Sequence, residues 1–523
     1  MNDRGQWQRR RYGREGRMLS RRLLLRTAGL LACGLHAIAS ASRPSLAAAA
    51  RSPGLTDKVP AGDEVGTHTL RLAEWAARLR YDDIPAAVLA RAKLLVLDGI
   101  GCTIYGCRRE AGAALARYVH DSGDSGAEAT LWGLGRRASL RSALLVNSTS
   151  AHGSNMGDTH PGTIIHTNYL TPQSAIAVGE MEDSPGRDLL VAIIVGNEAS
   201  IRAGLAAHIG KEGGYFSSNG RGWHASGSFG GIAAAVTAAR LMQLPAAAMV
   251  QAMVLAGAQG FAAYRPCGAH MGKHAYAGRA VANGVESASL ARTGFTSGYR
   301  LFEDGLCYGS GLLSPIYDLS AASADLGQRW ETMNVDLAIY PAKKTAYSSI
   351  DALLALRQEY GLKPTDVSRL VARTFYEPPR NVRPRDATEA LNSLQFNLAA
   401  ALFFGRFSVA ELDRVRFEDP QVLAFADERI EVVRDPKLDR MRRKGKWPGA
   451  IDLLLKDGRR ITKLLEYHRG QVQNFVREDE IEAKFLGMAQ PVIGQNAERV
   501  VAMVRELENI HRASELTALL GPS

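Results

Sequence analysis

Ala151–Ala175 reads AHGSNMGDTHPGTIIHTNYLTPQSA. The stretch packs His152, Asp158, Thr159, His160 and His166 into a polar, glycine-containing segment and then runs into the apolar QSAIAVGEME. That pattern reads as a loop feeding a buried helix. Seven of the twelve histidines lie between His152 and His274. Imidazole titrates near neutral pH and moves protons at little cost, so the clustering points to proton transfer on a small molecule. The competing reading of any one of these histidines is a surface or helix-capping role.

On both sides of this stretch the texture is helical. Residues 70–106, LRLAEWAARLRYDDIPAAVLARAKLLVLDGIGCTIYG, space their apolar positions at the helical period, with Pro85 in the first turn of a second helix. GIAAAVTAARLM (231–242) and AGRAVANGVESASLARTG (277–294) are rich in small residues that let helix backbones approach closely. A densely packed helical body is expected rather than a sheet, and no strand followed by a glycine fingerprint suggests a dinucleotide site. Near Val335 the texture changes. VSRLVARTFY (367–376) and ERIEVVRD (428–435) read as strands, and GAIDLLLKDGRRITKLLEY (449–467) carries an Asp457-Gly458 hairpin signal. Between them SSIDALLALRQEY (348–360) and ALNSLQFNLAAALFFGRF (390–407) read as helices, and helical texture resumes after Asn474. The expected fold is mainly α. A large all-helical domain spans residues 67–334 and is rejoined by 474–523, with a smaller α+β lid domain, 335–473, inserted between them and the active site in the cleft.

The formal net charge of +11 over 523 residues suggests nucleic acid at first sight. Much of it sits at the front, in Arg4, Arg9, Arg10, Arg11, Arg14, Arg17, Arg21, Arg22 and Arg26, and no aromatic-interleaved basic motif follows, so no nucleic-acid partner is expected. Ser20-Arg21-Arg22-Leu23-Leu24-Leu25-Arg26 resembles a twin-arginine export motif, followed by an apolar run too short to span a membrane and by small residues at Ala47–Ala50. Residues 1–50 therefore read as a removed leader and 51–66 as a Pro/Gly-rich linker, with the mature protein periplasmic or exported and without a stable membrane partner. The alternatives are a lipid anchor on Cys33 or a basic tail on a cytoplasmic protein. Beyond the leader only Cys102, Cys107, Cys267 and Cys307 remain, too few and too scattered for a disulfide framework or a metal cluster.

Six motifs in order carry a family resemblance: YDDIPAAVLARAKLLVLDGIGC, the Asp158-Thr159-His160 stretch, GRGWHASGSFGGIAAAVTAARLM, GKHAYAGRAVANGVESASLARTGF, YPAKKTAYSSIDAL and RIEVVRDPKLD. Through them the chain resembles the MmgE/PrpD family of 2-methylcitrate dehydratases and cis-aconitate decarboxylases, from about Thr69 to Leu519. The resemblance implies an all-helical domain with an α+β lid, a homodimer, and a cofactor-independent site for small polycarboxylates. Asp158 and Thr159 match the end of the family's acidic loop, His166 lies one residue beyond its next histidine, His224 matches the histidine of a second motif, and Lys273 opens a third. Departures are equally specific. Asn155 and Gly157 stand where acids are usual, Thr167 replaces a proline, Ala338 replaces a basic residue, and a histidine near Tyr347 is absent; Lys343 and Lys344 are candidates to restore the positive charge.

The implied chemistry develops carbanion character beside a carboxylate, which cationic groups and a placed acid–base pair ease. Asp158, His166, His224 and Lys273 are the catalytic candidates. Lys273 reads as a carboxylate clamp or a surface lysine. His224 reads as an acid or base, or as the cap of the following helix. Asp158 reads as a base or imidazole-orienting group, or as part of an ordinary turn. Asn155, Thr159, His160, His274, Lys343 and Lys344 are the substrate-binding candidates, and Tyr264 or Arg265 are further cleft candidates. Asn155 can hydrogen-bond a carboxylate but cannot take a proton. No metal is expected, because no HExxH-like pair occurs. The expected activity is a dehydratase or decarboxylase. An isomerase or epimerase using the same α-proton abstraction, and a non-catalytic exported binding protein, stand as alternatives.

Overall fold

A computed structural model describes residues 66–207, 222–260, 262–263, 267, 270–303, 317–378 and 380–523, all within one contact-dense unit. The leader with Cys33, most of the linker, Tyr264, Arg265 and Cys307 lie outside the described residues. The chain is mainly helical with small sheets. Thr67–Arg78, Ala86–Gly106, Glu110–Asp121 and Leu140–Gly153 are the first long helices, and Pro85 is the residue that caps the second of them. The quoted stretch begins as the end of the Leu140–Gly153 helix, loops over residues 154–170 and enters the Thr171–Glu182 helix, whose first nine residues are buried.

Small residues determine how closely the inner helices pack. Ala225–Leu241 lies against both Gly186–Ala206 and Ala275–Arg292. A Cβ placed on Gly284 would lie 2.3 Å from the Gly231 carbonyl oxygen, so the crossing of Ala225–Leu241 with Ala275–Arg292 does not tolerate a larger residue there without displacement. Gly186–Ala206 is long and apolar enough to cross a membrane, but it lies almost entirely inside this core. One expectation needs correction: the helical body is not sheet-free. Strands β1 (Ala129–Leu131) and β2 (Arg136–Ala138) form an antiparallel hairpin within it. At three residues each they are too short to show a period of two.

A second hydrophobic core is built only from residues between Ala338 and Leu465, while Val476–Leu520 pack into the first core beside Leu72–Leu337. The second core holds a four-stranded sheet in the order β4 (Ile430–Arg434), β3 (Val367–Thr374), β5 (Gly449–Leu455), β6 (Arg460–Leu465). β3 runs parallel to β4 and antiparallel to β5, which turns through Asp457-Gly458 into antiparallel β6, with Gly458 at φ +90°. A register shift between Val367 and Arg369 leaves Ser368 and Arg369 both exposed, breaking the alternation that residues 370–374 follow.

The helices of this part differ from expectation in two places. The single helix expected over 390–407 is split at Ser393, whose hydroxyl accepts from the Phe396 N–H at 3.0 Å and starts the Leu394–Phe404 helix afresh. Pro436–Arg443 is a further helix, capped by Asp435, within the motif RIEVVRDPKLD. Asp before Pro is a cap-and-first-turn signature.

Candidate active site

A cleft of about 470 Å³ opens between the two cores. From the helical side it is lined by His152, Asn155, Gly157, Thr159, His166, Tyr169, His224 and Lys273, and from the other side by Lys343, Lys344, Thr345, Tyr347, Asn392 and Trp447. No Asp or Glu is among the described lining residues, whereas three lysines are.

The elements present these side chains for identifiable reasons. His152 closes the last turn of its helix, and its buried ring stacks on Tyr169 with centroids 4.6 Å apart. His166 also stacks on Tyr169, at 5.1 Å, and lies 6.2 Å from His224 at an interplanar angle of 18°. Asn155 adopts left-handed backbone, φ 55°, which Asn tolerates better than most residues. The turn brings its Oδ1 within 3.3 Å of the Lys273 ammonium, which donates to it. Lys273 rides on the short Met271–His274 turn that opens the Ala275–Arg292 helix.

Hydrogen bonding gives the two facing imidazoles opposite tautomers. Nδ1 of His166 bonds the backbone carbonyl of Asp158, which can only accept, so the proton is on Nδ1 and Nε2 carries the lone pair. Nδ1 of His224 accepts from the Gly227 N–H at 3.4 Å, so its proton is on Nε2. His224 caps the Ala225–Leu241 helix, one of its two readings from the sequence, and its ring also lines the cleft. Burial first, and then neighbouring imidazoles and lysines, depresses all four clustered rings. His166 falls to about 4 and His224 to about 3. His274 falls to about 3, and His152 lies well below its usual value. The cleft thus holds neutral imidazoles beside cations. Burial, then Lys343, also lowers Lys273.

Three sequence expectations are corrected. The Asp158 carboxyl does not line the cleft; it is buried, and Oδ2 accepts from the Thr167 hydroxyl and from the Asn168 N–H. Burial pushes it up to about 7, and it orients His166 through its backbone carbonyl rather than its carboxylate. His160 turns away from the cleft into a separate depression, with Nε2 3.4 Å from Glu331 and Nδ1 3.1 Å from the Thr163 hydroxyl. His274 is buried behind His152, edge-on at 4.9 Å, outside the lining. Lys344 does line the cleft, but it pairs with Asp336 at 2.5 Å and lies 4.8 Å from the Trp447 ring centre.

Sequence reasoning left several lining residues unassigned. His152 stood in the decisive stretch, with no sequence signal to separate it from His160. Tyr169, Tyr347, Asn392 and Trp447 offered none, because their place depends on how the two cores meet. Among the described residues no group of three or more His, Cys, Asp and Glu side chains is set to hold a metal ion.

Residues 70–313 match the MmgE/PrpD N-terminal domain and residues 340–509 the MmgE/PrpD C-terminal domain. The cis-aconitate decarboxylase-like protein oryM of Aspergillus oryzae is 26% identical over 499 residues, covering 89% of this chain and 99% of that protein. The cis-aconitate decarboxylase of Aspergillus terreus is 27% identical over 304 residues, covering 56% of this chain and 60% of that protein.

Proposed function

Because the chain belongs to the MmgE/PrpD family, we propose that it is a lyase that removes carbon dioxide from a small unsaturated polycarboxylate of the cis-aconitate kind. The observation that carries this reading is the cleft lining: Lys273, Lys343 and Lys344 beside neutral imidazoles, without a carboxylate among the described lining residues. Such a surface attracts several carboxylates and repels none. In the reaction the bond from carbon to one carboxylate breaks, carbon dioxide leaves, and the electron pair left on the carbon skeleton takes up one proton.

His166 supplies that proton. Its ring is neutral while the cleft is empty, and the charges of an incoming polycarboxylate reverse the bias, so Nε2 is protonated as the substrate binds. The Asp158 carbonyl, bonded to Nδ1, stabilises the imidazolium that results. His224 Nε2–H and the lysines hold the remaining carboxylates. The part built on the second core acts as the lid that carries Lys343, Lys344 and Trp447 to the substrate. Export through the Ser20–Arg26 motif, a homodimer and independence of any cofactor belong to the same reading and rest on the sequence resemblance.

Proton NMR of the purified protein in heavy water with cis-aconitate, citrate and 2-methylcitrate tests the assignment. Release of carbon dioxide with one deuterium entering the product carbon is expected from cis-aconitate, and loss of that turnover in His166→Gln and Lys273→Ala. Gain or loss of water without carbon dioxide makes the protein a dehydratase instead. Deuterium exchange without net conversion makes it an isomerase or epimerase.

A further inference from the structure

Beneath the cleft lies a buried charge pair that no cleft-lining residue contains. Lys484, on the Glu478–Ile493 helix, and Asp98, on the Ala86–Gly106 helix, are both buried and are bonded Nζ to Oδ1 at 2.5 Å. The other two ammonium bonds go to backbone carbonyls, of Ala338 at 2.6 Å and of Met156 at 3.0 Å. An ammonium has three protons to give, so Lys484 is fully satisfied. Its acceptors sit on three separate segments. Met156 lies between the cleft residues Asn155 and Gly157, and Ala338 begins the second core just before Lys343 and Lys344.

Asp98 extends the connection. Its Oδ2 accepts from Asn168 Nδ2 at 2.5 Å, the Asn168 N–H donates to Asp158 Oδ2 at 3.0 Å, and the Asp158 carbonyl bonds His166 Nδ1. The segment of Lys344 is tied to the same loop, since Thr159 and Asp336 exchange backbone bonds at 2.8 and 2.9 Å. A buried pair with every polar atom used restricts its partners to one arrangement.

We propose that Lys484 and Asp98 are positioning residues for His166: together they hold the 154–168 loop against both cores, so that the Asp158 carbonyl meets Nδ1 and fixes the ring's tautomer. This rests on His166 as the proton carrier, but the arrangement itself is a property of the protein without substrate.

The test uses the full chain labelled with ¹⁵N-histidine, with the His166 signals assigned by their loss in His166→Gln. Ring nitrogen shifts are followed against pH in the native protein, Lys484→Met, Lys484→Arg and the charge-neutral pair Asp98→Asn/Lys484→Met. In Lys484→Met the His166 ring is expected to lose the single Nδ1–H tautomer, and its midpoint to fall further as the Asp158 carbonyl that favours the imidazolium leaves Nδ1. Lys484→Arg should restore much of the native signature. With cis-aconitate the expected companion is a kcat reduced roughly tenfold or more at little changed KM, as for a misplaced reacting group. A folded Lys484→Met whose His166 keeps the native midpoint and tautomer overturns the proposal. If Lys484→Met does not fold, the neutral pair is judged by the same criterion. Absence of turnover by the native protein strikes the decarboxylase reading alone, because the NMR comparison needs no substrate.

Discussion

His166 and His224 face each other with opposite protons, and neither role is written in the chain beside them. The Asp158 carbonyl makes one ring a lone-pair carrier at Nε2, and a helix N-terminus makes the other an N–H donor at Nε2. Their depressed values mean that a tricarboxylate must bring a proton with it. Calorimetric titration with tricarballylate, an unreactive tricarboxylate, at pH 6.5 in two buffers of different ionisation heat should show an uptake approaching one proton per site. His166→Gln should abolish most of that uptake while binding persists, and equal heats in both buffers for the native protein would contradict the proton-loading step. Asn155 belongs to the same logic. A carboxylate at that position would pair with Lys273 and compete with the substrate, whereas the amide leaves the ammonium's charge uncompensated at 3.3 Å. The sequence showed that an acid was missing there. What replaced its function, a neutral acceptor on a left-handed turn, required the geometry.

Helices rather than loops decide where His152 stands. The Leu140–Gly153 helix crosses Ala86–Gly106 at Gly106, where an added Cβ would lie 1.8 Å from the Ser150 carbonyl oxygen, two residues before His152. Gly106→Ala should therefore cost about 1–3 kcal/mol, as overpacking of a close crossing does, and should lower turnover by moving His152 and Tyr169. Gly487→Ala, at a helix position where nothing lies near an added Cβ, is the control and should be neutral or slightly stabilising in a urea titration. Equal stability of the two variants would remove the crossing as a determinant of the site. Most of these helices were legible because the apolar period extends over a dozen residues or more. The break at Ser393 was obscured because an uninterrupted apolar run hides a cap, and the β1–β2 hairpin because three-residue strands carry no period. The strands of the second core were plain from their β-branched residues and the Asp457-Gly458 turn, whereas their order, with parallel β4 beside β3, depends on pairing between segments some sixty residues apart.

The clustered imidazoles also govern how the protein as a whole responds to acid. Each folded value lies below the usual 6.5, so the stability each contributes is complete above that pH and is lost as the pH falls through about 4 for His166 and about 3 for His224 and His274. Asp158 acts oppositely. With its value raised from 3.8 to about 7, its contribution is present at low pH and lost as the pH rises toward 7; burial raises Asp98, Glu198 and Asp351 as well, against the five depressed rings of His152, His166, His224, His274 and His468. The urea midpoint should fall on acidification from pH 7 to pH 4, and more gently in His152→Gln/His274→Gln. A midpoint flat over that range would mean that the rings are solvated.

The sequence by itself determined the helical body, the strands of the second core, the family and the supply of histidines and lysines, because periodicity, turn chemistry and motif spacing are local properties of a chain. Only the tertiary structure decided which of those groups meet. It turned His160 toward Glu331, buried the Asp158 carboxyl away from the cleft, and joined Lys484 to Asp98 across 386 positions. A buried polar group must find a partner, and the partner it finds depends on which distant segments the cores press together.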